Sequence, residues 1–245
     1  MDWADVQETF SVPLWQSMLD SLVVAGSSPF LDAGCGAGGA SVLARERTTS
    51  VSGLDASVAL IEVAKRRVPD GDFRAGALEA LPFDDRTFED VLAASSVQYA
   101  ADPVAALREL SRVATEDGRV AVGLFSTPDK VDYAAVFDVI RSALPDPPSG
   151  GGPFALSAPG TLEELIETAG MDVAEVGEAD CPFLYPDIDT FWRASISAGP
   201  VQAALDVVDA AALRPLLEQA VEPYQLDDGS IRFEVAFRYV TATNI

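Results

Sequence analysis

Short apolar runs alternate with longer segments of helical periodicity through the first half of the chain. Five runs have the length and the flanking turn residues of buried strands; they lie at 29–34, 50–55, 72–77, 88–95 and 119–125. The segments between them space apolar residues as amphipathic helices do, and they include 39–47, 57–67 and 103–115. Strands that alternate with helices in this way predict a parallel, doubly wound sheet of the α/β class.

The rhythm changes after residue 125. Helices are predicted at 130–143 and 161–170, and a long strand is predicted at 172–185. Residues 187–222 are again mostly helical, and a strongly alternating strand closes the chain at 230–242. The two late strands are therefore expected to be joined by a helical subdomain rather than by a tight turn.

Two further segments complete the pattern. Residues 3–24 carry an apolar face at helical spacing and predict one or two helices before the first strand. Residues 145–153 contain little except proline and glycine, so they are predicted to form a mobile loop. Asp102 and Pro103 are typical of the N-cap and the first position of a helix.

A glycine-rich turn follows the first predicted strand. The segment GCGAGG fits the pattern Gly-x-Gly-x-x-Gly through Gly34, Gly36 and Gly39. Glycines at such a turn let the backbone approach a ligand, and the N–H groups of the following helix face it. Asp55 ends the next strand, where a carboxylate can accept hydrogen bonds from ribose hydroxyls. Together these features predict a cofactor that contains adenosine.

Asp32, just before the turn, bears on the kind of cofactor. A carboxylate there would repel a pyrophosphate, but it would attract a cationic head such as the sulfonium and ammonium groups of S-adenosylmethionine. The carboxylate could instead cap nearby backbone N–H groups. The glycine pattern alone is also compatible with a nicotinamide cofactor.

The net charge of the chain limits the kinds of molecule that it can bind. The formal net charge is −23 and 49% of the 245 residues are hydrophobic. Such a surface repels phosphate backbones and anionic membranes, so we expect neither nucleic acid nor a membrane as a partner. The charge also keeps an alanine-rich chain soluble. No apolar run approaches the ~20 residues that span a bilayer, and the N-terminus lacks a signal-peptide layout, so we expect a cytoplasmic protein.

Cysteine and histidine content limits the chemistry. The chain contains only Cys35 and Cys181, and it contains no histidine. We therefore expect neither a disulfide framework nor a metal site. The commonest general base is also missing, which leaves carboxylates and tyrosines as candidates.

These motifs resemble those of the class I S-adenosylmethionine-dependent methyltransferases. The segment LDAGCGAGG is similar to the first motif of that family, VSGLDAS to the second, and residues 76–122 to the segment that follows. The resemblance implies a mostly parallel, seven-stranded Rossmann-like sheet with an antiparallel edge strand and a helical cap. It also implies S-adenosylmethionine as cofactor, held by Asp32, Gly34, Cys35, Gly36, Asp55, Ala56, Ala77, Leu78, Ala94 and Ser95.

The sequence departs from the family pattern at three positions. Ala77 stands where many members carry an aspartate that accepts from the adenine amino group, and Glu89 replaces a usual aspartate. Gln98 stands where relatives often carry histidine or an aromatic residue near the methyl donor. Gln98 and Tyr99 are therefore the catalytic candidates, although a polar residue can also simply open a short helix.

The resemblance implies one domain over residues 1–245. Its parts are N-terminal helices (1–26), a cofactor-binding core (27–125), cap insertions (126–160 and 187–228) and late strands (171–185 and 229–242). The N-terminal helices and the cap insertions carry Phe10, Trp15, Phe154, Phe191 and Trp192, which suggest a small apolar or aromatic acceptor of the methyl group. A non-methylating S-adenosylmethionine binder and, less favoured, a nicotinamide-dependent oxidoreductase are the alternatives.

Overall fold

The computed structural model describes residues 3–145 and 152–244. Its strands are β1 (Phe30–Ala33), β2 (Val51–Asp55), β3 (Asp72–Ala75), β4 (Phe88–Ala94), β5 (Ala114–Phe125), β6 (Met171–Asp180), β7 (Phe183–Tyr185), β8 (Ile231–Phe233) and β9 (Ala236–Asn244). Its α-helices are α1 (Val12–Leu22), α2 (Gly39–Arg45), α3 (Val58–Arg67), α4 (Pro103–Val113), α5 (Ala134–Ala143), α6 (Thr161–Thr168), α7 (Ile188–Ile196), α8 (Gly199–Leu205) and α9 (Ala210–Val221). The predicted mobile loop at 145–153 falls largely outside the described residues.

Seven strands form one sheet in the order β3-β2-β1-β4-β5-β9-β6. The pairs among the first five strands are parallel, and β9 is antiparallel to both of its neighbours. The predicted doubly wound, mostly parallel sheet is thus confirmed, and so is its antiparallel strand. That strand lies one position in from the edge rather than at the edge, because β6 pairs along its outer side.

Each late strand is broken in two, where the sequence predicted one continuous strand. Pro182, which has no N–H to donate, separates β6 from β7. The other break is at Glu234 and Val235, and the Val235 carbonyl accepts from the N–H of Cys181 at 2.8 Å. Because the breaks face each other, β7 and β8 leave the main sheet together and form a separate two-stranded antiparallel sheet.

Two buried clusters cover the faces of the main sheet. Phe30 and Leu31 are adjacent in β1 but belong to different clusters, and successive strand residues point to opposite faces. Helix α1 covers the face of Phe30 with buried side chains that include Leu14 and Met18. Helices α4 and α6 cover the other face.

The predicted start of α4 is confirmed. The Oδ1 atom of Asp102 accepts hydrogen bonds from the N–H groups of Val104 and Ala105, each at 3.0 Å, and Pro103 occupies the first turn. No helix among the described residues is both long and apolar enough to cross a membrane.

Helix α1 packs closely on the first turn of α2. A Cβ on Gly39 would lie 2.4 Å from the Cη2 atom of Trp15 and 3.0 Å from the Cδ atom of Glu8. Trp15 is only 8% exposed, so its ring has little room to move away. The close packing of the two helices therefore depends on a residue without a side chain at this position.

We predict that Gly39→Ala lowers the free energy of unfolding by about 1–3 kcal/mol, because overpacking outweighs the better helix propensity of alanine. Gly199→Ala is the matched control, since Gly199 also begins a helix but a Cβ there would meet nothing within 4 Å. The control is expected to change stability by no more than about 1 kcal/mol. Urea denaturation followed by circular dichroism measures both; equal stability of the two variants would contradict the prediction.

Candidate functional site

One large cavity opens over the carboxyl ends of the parallel strands. Its volume is about 650 Å³, within the range of small-molecule sites. Its polar part is lined by residues at or just after the carboxyl ends of β1, β2, β3 and β4. Its apolar part is lined mainly by residues of β5, β7, β9 and the cap segment 126–160. All ten residues predicted to hold the cofactor line it: Asp32, Gly34, Cys35, Gly36, Asp55, Ala56, Ala77, Leu78, Ala94 and Ser95.

The glycine loop is held against the end of β2. The carbonyl oxygen of Leu54 accepts hydrogen bonds from the N–H groups of Gly34 and Cys35, at 2.7 and 2.8 Å. Gly34 adopts a left-handed φ of +86°, and a Cβ on it would lie only 2.3 Å from the Cβ of Ser96. The loop can take this course only with glycine at that position, so bare backbone faces the cavity.

Asp55 joins the glycine loop to the start of α3. Its Oδ2 atom accepts from the N–H of Gly36 at 2.9 Å, and its Oδ1 atom accepts from the N–H of Ser57 at 2.8 Å. Each carboxylate oxygen has two lone pairs, so each keeps the capacity to accept a further hydrogen bond. The group can therefore fix the loop and still bind a ligand that bears hydroxyl groups.

Asp32 is buried beneath the loop, with only 2% of its surface exposed. The hydroxyl of Ser41 donates to its Oδ2 atom at 2.7 Å, and the backbone of Ser41 also contributes, so the capping role weighed above is present in part. Burial raises the pKa of Asp32 to about 7, and the charges of Glu8 and Asp55 act in the same direction. A cation placed here would relieve the unfavourable ionisation.

The N-terminal segment covers the polar part of the cavity. Glu8 accepts from the N–H of Gly39 at 3.3 Å and forms an ion pair with Arg67. Arg67 also donates to the carbonyl of Ala37 at 3.2 Å and to that of Ala4 at 2.9 Å. This set of contacts ties the segment before α1 to the glycine loop. Sequence reasoning missed Glu8; an acidic residue within an amphipathic segment gave it no distinctive signal.

Five aromatic residues form the apolar part of the cavity, and we call them the aromatic wall. Their ring centroids make a closed circuit with neighbours 4.4–6.4 Å apart, in the order Phe125, Phe137, Tyr133, Phe183 and Phe237. Phe125 ends β5 and is the cross-strand partner of Phe237, near the start of β9. The antiparallel strand begins where its parallel neighbour ends, so both rings reach the cavity.

The aromatic residues singled out from the sequence lie mostly behind this wall. Trp15 lines the cavity, whereas Phe10 stacks on Phe183 at 4.9 Å and Phe154 lies 5.7 Å from Phe125. Phe191 is fully buried in the cap, and the partly buried Trp192 packs against the hydrophobic cluster that contains Phe191. Helical and strand periodicity located the cap segments but could not select the face that meets the cavity.

The two catalytic candidates, Gln98 and Tyr99, differ in their position relative to the cavity. Tyr99 lines the cavity, but Gln98 does not, contrary to the expectation that it lies near the methyl donor. Both belong to a short 3₁₀ turn after β4, and its tight winding points them in different directions. Gln98 is 7% exposed, and neither polar atom of its amide has a hydrogen-bond partner among the described residues.

Comparison with known proteins agrees with this geometry. A family described as "Methyltransferase domain" matches residues 31–122. A demethylmenaquinone methyltransferase from Renibacterium salmoninarum is 32% identical over 133 residues, which are 54% of this chain and 56% of the relative. The chain thus spans about half the length of that curated relative.

Solved structures resemble almost the whole chain. The YcgJ protein from Bacillus subtilis has a TM-score of 0.65 at 17% identity, covering 94% of this chain and 97% of that one. The cyclase SpnF has a TM-score of 0.60 at 19% identity, covering 94% and 80%. At sequence identities below 20%, these structural similarities show only that the fold is shared.

The matched segment begins within β1 and ends within β5, and so contains the glycine loop, Asp55 and the ends of the strands that line the cavity. The cofactor predicted from the sequence, S-adenosylmethionine, is that of the matched family. Residues 31–122 of this chain therefore match a methyltransferase domain, in agreement with the resemblance of its motifs to those of the class I S-adenosylmethionine-dependent methyltransferases.

Proposed function

We propose that this protein transfers a methyl group from S-adenosylmethionine to a small, apolar or aromatic molecule. One observation carries the proposal: a single cavity of about 650 Å³ joins the ten predicted cofactor residues to the aromatic wall. Cofactor and acceptor would therefore share one enclosed space. Such a site buries most of a small ligand and orients it by shape.

The polar part of the cavity fits this cofactor. Asp55 has the spare acceptor capacity that two ribose hydroxyls require. Asp32 offers a carboxylate to a cationic head, and Gly34 gives the close approach of bare backbone. Ala77 and Leu78 present apolar contacts to the adenine ring, while the nearby Glu79 already accepts from the N–H of Ala101 at 2.7 Å.

S-adenosylmethionine supplies a methyl group already activated by its sulfonium. The protein then has to align the acceptor and exclude water, and orientation alone can contribute ~7–11 kcal/mol. The aromatic wall and Trp15 provide an apolar enclosure for that purpose.

The tyrosines of the cavity are poorly suited to act as bases. Desolvation raises the pKa of Tyr99 to about 12 and also raises the pKa of the buried Tyr133. Both hydroxyls therefore stay protonated at neutral pH, and that of Tyr99 can position an acceptor by donating to it. The acceptor would lose its own proton to solvent or react through a lone pair.

A non-methylating S-adenosylmethionine binder is the second candidate. The missing histidine and the protonated tyrosines favour it, because they leave only carboxylates as possible bases in the cavity. A fold shared with a cyclase is compatible with it. The nicotinamide alternative is disfavoured, since Glu8, Asp32 and Asp55 would all lie close to a pyrophosphate.

Titration calorimetry and a label-transfer assay test the proposed function. We expect S-adenosylmethionine and S-adenosylhomocysteine to bind, and NAD to bind far more weakly or not at all. Methyl-labelled S-adenosylmethionine incubated with phenols, hydroquinones, thiols and aromatic amines should then yield labelled product that partitions into organic solvent. Binding without transfer to any acceptor class would favour the second candidate, and preference for NAD would refute both.

Asp55→Ala is expected to weaken S-adenosylmethionine binding by ~10–1000-fold without unfolding the protein. Hydrogen bonds to a charged group contribute about 1.5–3 kcal/mol each, and water replaces part of that loss. Asp72→Ala is the control, because it removes the same charge from an exposed carboxylate outside the cavity. Unchanged affinity in folded Asp55→Ala would remove this residue from the site.

The affinity for S-adenosylmethionine should rise with pH through Asp32. Its pKa of about 7 leaves the carboxyl group largely protonated at pH 6, and a protonated carboxyl attracts a cation weakly. A bound cation favours the carboxylate, so affinity should increase ~5–10-fold between pH 6 and 7.5. Calorimetry should give a flatter and lower profile for Asp32→Asn. The same slope in both proteins would assign the pH dependence to another group.

A further inference from the structure

The charges of the cavity wall are of one sign. Four carboxylate residues line it, Glu8, Asp32, Asp55 and Glu79, and none of the described residues in the wall is a lysine or an arginine. The residues outside the described ranges contain neither lysine nor arginine, and the chain has no histidine. No side-chain cation is therefore present to receive an anion in this cavity.

Three cations on elements that adjoin the cavity form ion pairs elsewhere. Arg67 pairs with Glu8 and donates to two backbone carbonyls of the N-terminal segment. Lys130, between β5 and α5, binds both carboxylate oxygens of Glu178 at 2.8 and 2.9 Å. Arg238 follows Phe237 in β9, so it points to the opposite face of the sheet, where it pairs with Glu163.

The aromatic wall also offers few free hydrogen-bond donors. Four of its five members are phenylalanines, and the hydroxyl of Tyr133 lies 3.2 Å from the Oγ atom of Ser195. Gln7, at the rim of the wall, accepts from Tyr185 at 2.8 Å through its Oε1 atom, so its uncharged amide N–H groups are the donors that it can offer. An anion buried here would lose its hydration without gaining equivalent partners, which is strongly unfavourable.

We infer that the acceptor site selects against negative charge, so that the acceptor is an uncharged lipophilic molecule and not a carboxylate or a phosphate ester. This inference rests on the proposed function, because it takes the aromatic wall as the place where the acceptor binds. The proposed function predicts that the site prefers apolar molecules, and this inference adds that the site also selects by charge. We call this second preference the rule of charge. The wall would reject an anionic derivative of the same ring system that it accepts in neutral form.

Two probes that share one ring system test the rule: 2-naphthol and 2-naphthyl phosphate, each titrated into the protein saturated with S-adenosylhomocysteine. Calorimetry is expected to show binding of 2-naphthol, with 2-naphthyl phosphate at least ~10-fold weaker. Equal or tighter binding of the phosphate would overturn the inference. Failure of both probes to bind would overturn it as well, because the aromatic wall would then not be an acceptor site.

A cation added to the wall should reverse the preference. Ser11 lines the cavity and is partly buried, so Ser11→Lys brings an ammonium group within reach of a phosphate. We expect binding of 2-naphthyl phosphate to strengthen at least ~5-fold and that of 2-naphthol to stay within ~2-fold. Gln16→Lys, at an exposed position of α1 outside the cavity, is the matched control and should change neither.

The outcomes separate the two proposals. Retained S-adenosylhomocysteine binding shows that Ser11→Lys is folded, and unchanged affinity for the phosphate would then contradict the rule of charge. The comparison of the two probes on the unmodified protein remains decisive if the variant does not fold. Charge preference without methyl transfer to any neutral acceptor would instead refute the proposed function and leave the binding rule intact.

Discussion

The double hydrogen bond accepted by the carbonyl oxygen of Leu54 determines the geometry of the site. The N–H groups of Gly34 and Cys35 both donate to it, at 2.7 and 2.8 Å, and so draw the loop after β1 onto the end of β2. Gly34 must then take a left-handed conformation, with Ser96 closing the space where a side chain would lie. The same approach brings Gly36 to the carboxylate of Asp55. Backbone, not side chains, therefore forms the floor of the polar part of the cavity.

The apolar part depends on the direction of one strand. β9 begins beside the carboxyl end of β5, and its register pairs Phe125 with Phe237 at a ring distance of 4.4 Å. A strand parallel to β5 would have brought its last residues, not its first, to this end of the sheet. The paired breaks beside Pro182 and Val235 then carry Phe183 over the same opening. The aromatic wall is thus a consequence of sheet topology, assembled from residues that are spread over more than a hundred positions of the sequence.

This difference explains what the sequence could predict. The first strand, the glycine loop and Asp55 are close together along the chain, so their motifs could be recognised, and the ten residues that the family resemblance implied all line the cavity. The aromatic wall is formed by long-range contacts, and periodicity cannot tell Phe125 or Phe237 from any other strand phenylalanine. Gln98 and Tyr99 show a related limit of local patterns, because a 3₁₀ turn directs successive side chains differently and only Tyr99 lines the cavity. The position of β9 inside the sheet is likewise a property of strand pairing, which no local pattern encodes.

The raised pKa of the buried Asp32 makes the free energy of unfolding depend on pH. Its folded-state pKa of about 7 lies above the ordinary value of 3.8, so the folded protein binds more protons than the unfolded chain between these values. By linkage, this group's contribution to stability falls as pH rises through that window. At neutral pH the free protein therefore holds Asp32 in a partly unfavourable ionisation, close to the charges of Glu8 and Asp55. A cationic ligand reverses the sign of that interaction, so binding and folding stability are coupled through the same carboxylate. An anionic ligand would instead add to the repulsion, and this agrees with our proposal that a sulfonium cofactor and a neutral acceptor bind side by side in the cavity.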